Sequence, residues 1–283
     1  MTNYSLYLTV FLTAQKYPQL VRLSYELRLD ILNLIYSSGG GHIGGSLSSL
    51  DLIIATYFSD IFKNNHFVLS AGHICPALYV TLAKKGYFPK SKLNTYTELG
   101  SILQGHVSTD VPGVEYSSGA LGQGLSFSCG LALGDRNHQT VCLTSDGEHQ
   151  EGQVWEAAMF ANKYKLGNLI NIVDHNKYQI DGSVADIMPL DDLAAKYIRF
   201  GWTVTVIDGH DFNQICSAFE KARDSDYPNC IIANTILGKG IPTMQYDYHY
   251  HDVKALPETI YHRAKADFES IIKKMDPTYD FTA

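Results

Sequence analysis

Asp146 and Asn176 are the first residues of this sequence whose type and setting suggest chemistry. Asp146 lies in Ser145-Asp146-Gly147, directly after the apolar run Thr140–Thr144, and Asn176 closes Asp174-His175-Asn176, directly after the apolar run Leu169–Val173. Between them Val154, Ala158, Ala161 and Tyr164–Lys165 recur at helical spacing, with Glu151-Gly152 at the start and Gly167-Asn168 as the stop signal. The stretch predicts strand, turn, helix and strand. In such a βαβ unit the carboxyl ends of both strands share one edge of the sheet, where ligands bind. Asp146 and Asn176 are then neighbours. A carboxylate and an amide carbonyl are hard oxygen donors, and with a diphosphate they suit Mg²⁺ or Ca²⁺ better than zinc. An Asp-Gly turn alone, or a strand-end Asn alone, is ordinary, whereas the combination is specific.

A second group consists of histidines presented by glycine-rich turns. His42 sits in SSGGGHIGGS, after an amphipathic helix over Pro18–Ser37 marked by Leu23, Leu27, Ile31, Leu34 and Ile35. A second helix is expected from about Ser46 to Phe58, with Ser46, Ser48 and Ser49 as candidate caps. Gly39, Gly41 and Gly44 match G-x-G-x-x-G, but a dinucleotide fingerprint follows a strand and here a helix precedes it, so that reading is rejected. His73 follows Gly72 at the end of a short expected strand, Phe67–Ala71, and before a helix over Ile74–Lys85. An imidazole beside helix N–H groups complements a phosphate. Cys75 reads as a packed apolar residue.

The remaining elements position these groups. Pro89–Leu99 reads as a helix and is followed by Gln104-Gly105-His106; Val114–Ser117 reads as a strand, and Gly119-Ala120-Leu121-Gly122-Gln123-Gly124 opens a helix to Ala132. Further on come a helix over Leu190–Phe200, a strand over Thr203–Ile207, a helix over Asp211–Arg223, a strand over Cys230–Leu237 and a last helix from Pro257 to about Lys274. His249 and His251 alternate among tyrosines without a cysteine, which is weak for zinc. This alternation predicts an α/β fold, a mostly parallel sheet with helices on both faces.

Composition removes several function classes. The net charge of −7 without a basic block argues against nucleic acid, and no apolar run approaches the ~18 residues of a membrane span. Five cysteines without close pairing read as reduced, cytoplasmic thiols. Residues 1–17 read as a lead-in segment without the basic start of a signal peptide, and 283 residues suffice for one large α/β domain or two small ones.

Asp-Gly at one strand end, Glu151-Gly152 opening the helix and Asp-x-Asn at the next strand end resemble the thiamine-diphosphate motif of the transketolase family. The resemblance implies a metal held by Asp146, Asn176 and the backbone carbonyl of Tyr178, with Gly147 and Glu151 in the same motif. It places His42 and His106 near the reacting end of the substrate and His73 on the cofactor diphosphate. Gly119 and Leu121 fall on the aminopyrimidine side, and His251 near the diphosphate and thiazolium. Ser145, Ile43, Ala120, Tyr250 and Asp252 depart from the family pattern, which has Gly, Pro, Pro, Trp and Gly there.

The similarity runs from about Leu20 to His251 and matches the first domain of a transketolase. The second domain, which supplies the glutamate that protonates the aminopyrimidine, and the third have no counterpart. Glu151 and Glu156 resemble a glutamate network at the dimer interface and do not replace that glutamate. The resemblance therefore implies the N-terminal subunit of a split transketolase, moving a two-carbon ketol unit from a ketose to an aldose. Its partner would be a C-terminal transketolase subunit in an α2β2 heterotetramer acting on sugars or sugar phosphates. Alternatives are a subunit of a 2-oxo acid decarboxylating or deoxyxylulose-phosphate synthase-like enzyme, or a non-catalytic scaffold of the same fold.

Overall fold

The structure, a computed structural model, describes residues 16–62 and 64–281. The lead-in expected at 1–17 lies, up to residue 15, outside them. Among the described residues seven strands follow in chain order: β1 (His66–Leu69), β2 (Thr140–Ser145), β3 (Leu169–His175), β4 (Tyr178–Gln179), β5 (Gly182–Ser183), β6 (Thr203–Asp208) and β7 (Asn229–Asn234). Five of them form one parallel sheet in the order β1-β2-β3-β7-β6, and β4 and β5 pair as a small antiparallel ribbon. The order reverses beside β3, because β7 returns to lie between β3 and β6. Such a reversal opens a crevice at the carboxyl ends of the strands.

The helices are α1 (Pro18–Ser38), α2 (Ile43–Phe58), α3 (Cys75–Lys85), α4 (Gly124–Gly134), α5 (Gly152–Lys163), α6 (Val184–Ile187), α7 (Leu193–Arg199), α8 (Phe212–Arg223) and α9 (Glu258–Met275). Side chains alternate across each strand, and both faces are covered. Val141, Leu143, Ile170, Ile172 and Ile231 pack on the side of α1, α2, α3, α8 and α9. Cys142, Leu169, Val173, Cys230 and Ile232 pack on the side of α4, α5 and α7. A strand buried on both faces must be apolar almost throughout, which is why these runs lack polar alternation. Each fully buried Val, Leu or Ile contributes about 1.5–3 kcal/mol. All five cysteines are buried and unpaired. Among the described residues no helix is long and apolar enough to cross a membrane.

Four expectations need correction. Over Pro89–Leu99 the chain makes only a short 3-10 turn, Lys90–Thr95; Tyr96 is buried, and Thr97 turns left-handed with φ 62°. Val114–Ser117 pairs with no strand, since the Glu115 carboxylate takes the Phe67 N–H at 2.9 Å. The helix expected from Gly119 begins at Gly124 because Gly122 is left-handed, φ 82°, and its absent Cβ would lie 2.5 Å from Glu151 Cβ. The second helix starts at Ile43, ahead of the expected Ser46, so Ser48 and Ser49 lie inside it and do not cap it.

Candidate active site

The register pairs Ser145 with Asp174, so the turns after β2 and β3 leave the sheet together. Asp146 joins them. Its Oδ1 accepts from the Gly147 N–H at 2.7 Å and its Oδ2 from the Lys177 N–H at 2.6 Å. Lys177 adopts φ 71°, a left-handed turn residue next to Asn176. Asn176 Oδ1 accepts from the Tyr178 N–H at 2.9 Å, and its Nδ2 donates to Asp174 Oδ2 at 3.0 Å. Burial, followed by the Asp174 charge, pushes the Asp146 carboxyl up to about 7 against the backbone N–H groups that favour its charged form.

No ion pair reaches Asp146 among the described residues. A fully buried carboxylate in that state lacks a positive neighbour. The described residues also hold no group of three or more His, Cys, Asp or Glu suited to a metal. The donors at hand are one carboxylate, one amide oxygen and backbone carbonyls, which fit a hard divalent cation completed by phosphate oxygens and do not fit zinc.

A cavity of about 290 Å³ opens above this point. Its wall includes His42, His73, His106, His251, Gly119, Leu121, Gly147, Glu151, Asn176 and Tyr178, while Asp146 lies fully buried and outside that wall. The chain thus gathers residues more than two hundred positions apart. Ring centroids lie 5.2 Å apart for His42 and His73, 6.0 Å for His42 and His106, 5.8 Å for His42 and His251, and 5.1 Å for His73 and His251. Burial, then the His251, His42 and His106 rings, holds His73 well below the usual imidazole range. Burial and His42 lower His251 to about 4. These two rings are neutral. His251 Nδ1 is buried without a hydrogen-bond partner among the described residues, an orphan that costs about 1–3 kcal/mol unless a ligand meets it. His249 is exposed and bonded to Asp247 at 2.7 Å, so it forms no pair with His251.

Several supporting residues were given no role of their own from the sequence. Asp174 accepts from Ser48, Ser49, Asn176 and Thr235, drawing α2 and the end of β7 against Asn176. Glu148 accepts from Ser70, from the Gly122 N–H at 2.7 Å and from the Ser145 N–H at 3.2 Å. Ser145-x-x-Glu148 has the spacing of a capping box, so that signal was present. His149, lowered to about 4 by burial, places Nδ1 2.8 Å from Ser145 O and Nε2 2.9 Å from the Tyr197 hydroxyl. Nothing in the spacing of His149 and Tyr197 announces that bond. Ser145 has no left-handed backbone, and the turn accommodates it without a glycine.

A parallel α/β sheet that brings oxygen donors and histidines to the ends of neighbouring strands defines a diphosphate-cofactor-binding domain. The family described as transketolase, thiamine diphosphate binding domain, matches residues 23–269. The chain is 37% identical over 271 residues to an apulose-4-phosphate transketolase subunit of Phocaeicola vulgatus, covering 89% of this chain and 95% of that protein. It is 42% identical over 258 residues to a 6-deoxy-6-sulfo-D-fructose transketolase subunit of Clostridium sp. strain MSTE9, covering 86% and 94%. The crystal structure of Campylobacter jejuni transketolase superposes with a TM-score of 0.80 at 27% identity, covering 92% of this chain and 47% of that one. The chain belongs to the transketolase family and corresponds to its N-terminal, thiamine-diphosphate-binding part. It spans about half the length of the Campylobacter enzyme.

Proposed function

We propose that this chain is the diphosphate- and metal-holding subunit of a two-chain transketolase, a transferase that moves a two-carbon ketol unit from a ketose to an aldose. The buried Asp146 carboxylate, beside Asn176 and met by no cationic side chain among the described residues, is the observation that carries the reading. Asp146, Asn176 and the Tyr178 carbonyl hold Mg²⁺, or Ca²⁺ in its place. His73 and His251, both neutral, hold the diphosphate by hydrogen bonds, and Gly119 and Leu121 leave room beside the ring. When bound, thiamine diphosphate supplies the electron sink for carbon–carbon cleavage. His42 and His106 orient the substrate hydroxyls and carry protons to and from them. Gly147 and Glu151 close the wall between the metal donors and the ring.

Residues 1–283 make one such domain, and a partner completes the site. Two observations support this: relatives named as subunits match the chain over nearly their whole length, and several large apolar side chains on and beside α4 and α5 are exposed. These are Leu121, Phe127, Met159, Phe160 and Tyr164. The proposed partner is a C-terminal transketolase subunit in an α2β2 assembly that acts on sugars or sugar phosphates. Five unpaired thiols support a reducing, cytoplasmic setting. The test is to isolate the chain with its partner and assay ketol transfer with thiamine diphosphate and Mg²⁺. Activity is expected only with both chains, and robust transfer by this chain alone would overturn the proposal.

A further inference from the structure

The segment after the small 3-10 turn Tyr248–Tyr250 is clamped onto the glycine-rich loop that carries His42. Gly41 and Val253 form an antiparallel bridge, with N–H to carbonyl distances of 2.8 and 3.0 Å. The contact is so close that a Cβ at Gly40 would lie 2.4 Å from the Val253 carbonyl oxygen, and one at Gly44 2.6 Å from the Tyr250 oxygen. In an antiparallel pair the residues next to a bridged pair face each other. Here those residues are His42 and Asp252, and Asp252 Oδ1 stands 3.8 Å from His42 Nδ1.

The carboxylate's charge also reaches His251 and Tyr96, but it caps no turn. Asp247 caps the turn by accepting from the His249 N–H, and among the described residues Asp252 accepts no hydrogen bond. His42 Nε2 likewise has no hydrogen-bond partner among them, and His42 lines the cavity. We infer that Asp252 is a positioning residue for His42: it holds the ring at Nδ1 and leaves Nε2 to the ligand. This rests on the proposed reaction, in which His42 Nε2 takes a proton from a substrate hydroxyl and Asp252 remains a carboxylate opposite the imidazolium. The groups that face His42 are His73, His106 and His251 across the cavity, with Tyr96 beneath Gly41. Burial lowers the His42 pKa, Asp252 opposes that shift, and His106 adds to it. Asp252 also stands where the family pattern has Gly, so the pair belongs to this chain and not to the motif.

The test uses the complex of both chains and the variants Asp252→Asn and Asp252→Glu. The His42 ring is followed by NMR against pH, its signal assigned by His42→Gln, and kcat and kcat/KM for ketol transfer are measured over the same range. Two unit charges 3.8 Å apart at a partly exposed site interact enough to move a midpoint by about one pH unit. Asp252→Asn is expected to lower the His42 midpoint by about that much and to shift the acid limb of kcat in the same direction, with Asp252→Glu restoring part of both. An unchanged midpoint in Asp252→Asn overturns the inference. A shifted midpoint in a complex without ketol transfer leaves the pair standing and removes the proposed reaction instead.

Discussion

Replacing Asp146 by Asn separates two effects that a metal site joins. Without a cation, the Asp146 carboxyl ionises at about 7 in place of the usual 3.8, because burial and the Asp174 charge oppose its negative form. Between those values the folded chain keeps a proton that the unfolded chain has lost, so stability falls as pH rises. At about 1.4 kcal/mol per pH unit, the cost is on the order of 4 kcal/mol once pH exceeds 7. The amide of Asp146→Asn has the shape of the neutral acid and no charge. The metal-free variant is therefore expected to gain on the wild type by roughly 3 kcal/mol between pH 5 and pH 8, read by urea unfolding at both values. Adding Mg²⁺ and thiamine diphosphate at a hundred times their Kd should stabilise the wild type by about 2.7 kcal/mol and the variant by much less. A gap that does not widen with pH would refute the electrostatic argument. An equal cofactor effect in both proteins would remove Asp146 from the metal site.

Two further outcomes follow from atoms with unusual partners. His251 Nδ1 has no hydrogen bond within the described chain, so His251→Ala is expected to weaken thiamine diphosphate binding by the complex about tenfold, measured by calorimetry; unchanged affinity would remove the diphosphate role. Glu148→Ala leaves the Gly122 and Ser145 N–H groups unpaired in a buried place and should cost about 3 kcal/mol in urea unfolding, with Glu148→Gln losing less.

The sheet and the meeting of Asp146 with Asn176 were legible because local rules determine them. Apolar runs such as Thr140–Thr144 and Leu169–Val173 can be buried only as strands covered on both faces, and the βαβ connection then brings Asp146 and Asn176 to one edge. The errors fell where no periodic pattern exists. Lys90–Thr95 began as a helix should, but the burial of Tyr96 and the left-handed Thr97 stopped it after six residues of 3-10 helix. Val114–Ser117 had strand-like residues, yet Glu115 meets the β1 edge with a side chain where a strand would use its backbone. Long-range polar contacts were invisible for a different reason. Thr235 bonds Asp174 from 61 positions away, and His149 bonds Tyr197 from 48, distances at which only the folded topology decides who meets whom.

The charge of the cavity accounts for what the chain takes from outside itself. Among the described residues no Lys or Arg lines it, whereas Glu148, Glu151 and Asp174 do, and Asp146 lies buried nearby. Burial keeps His73 and His251 uncharged, so they offer hydrogen bonds to a diphosphate but no countercharge. Two like unit charges 4 Å apart at an effective dielectric of 20 repel by about 4 kcal/mol, which is too much for neutral donors worth about 1 kcal/mol each to offset. On the proposed reading the divalent cation is therefore required for cofactor binding and not an accessory to it. The same balance bears on the substrate. Asp252 adds a further carboxylate beside His42, so the wall supplied by this chain repels an anionic sugar end while its histidines suit the hydroxyl-bearing carbons. On the proposed reading a cationic grip for a phosphate comes from the partner's surface. The proposed division of labour follows from charge: on that reading this chain seats the metal and the diphosphate, and the partner selects the far end of the sugar.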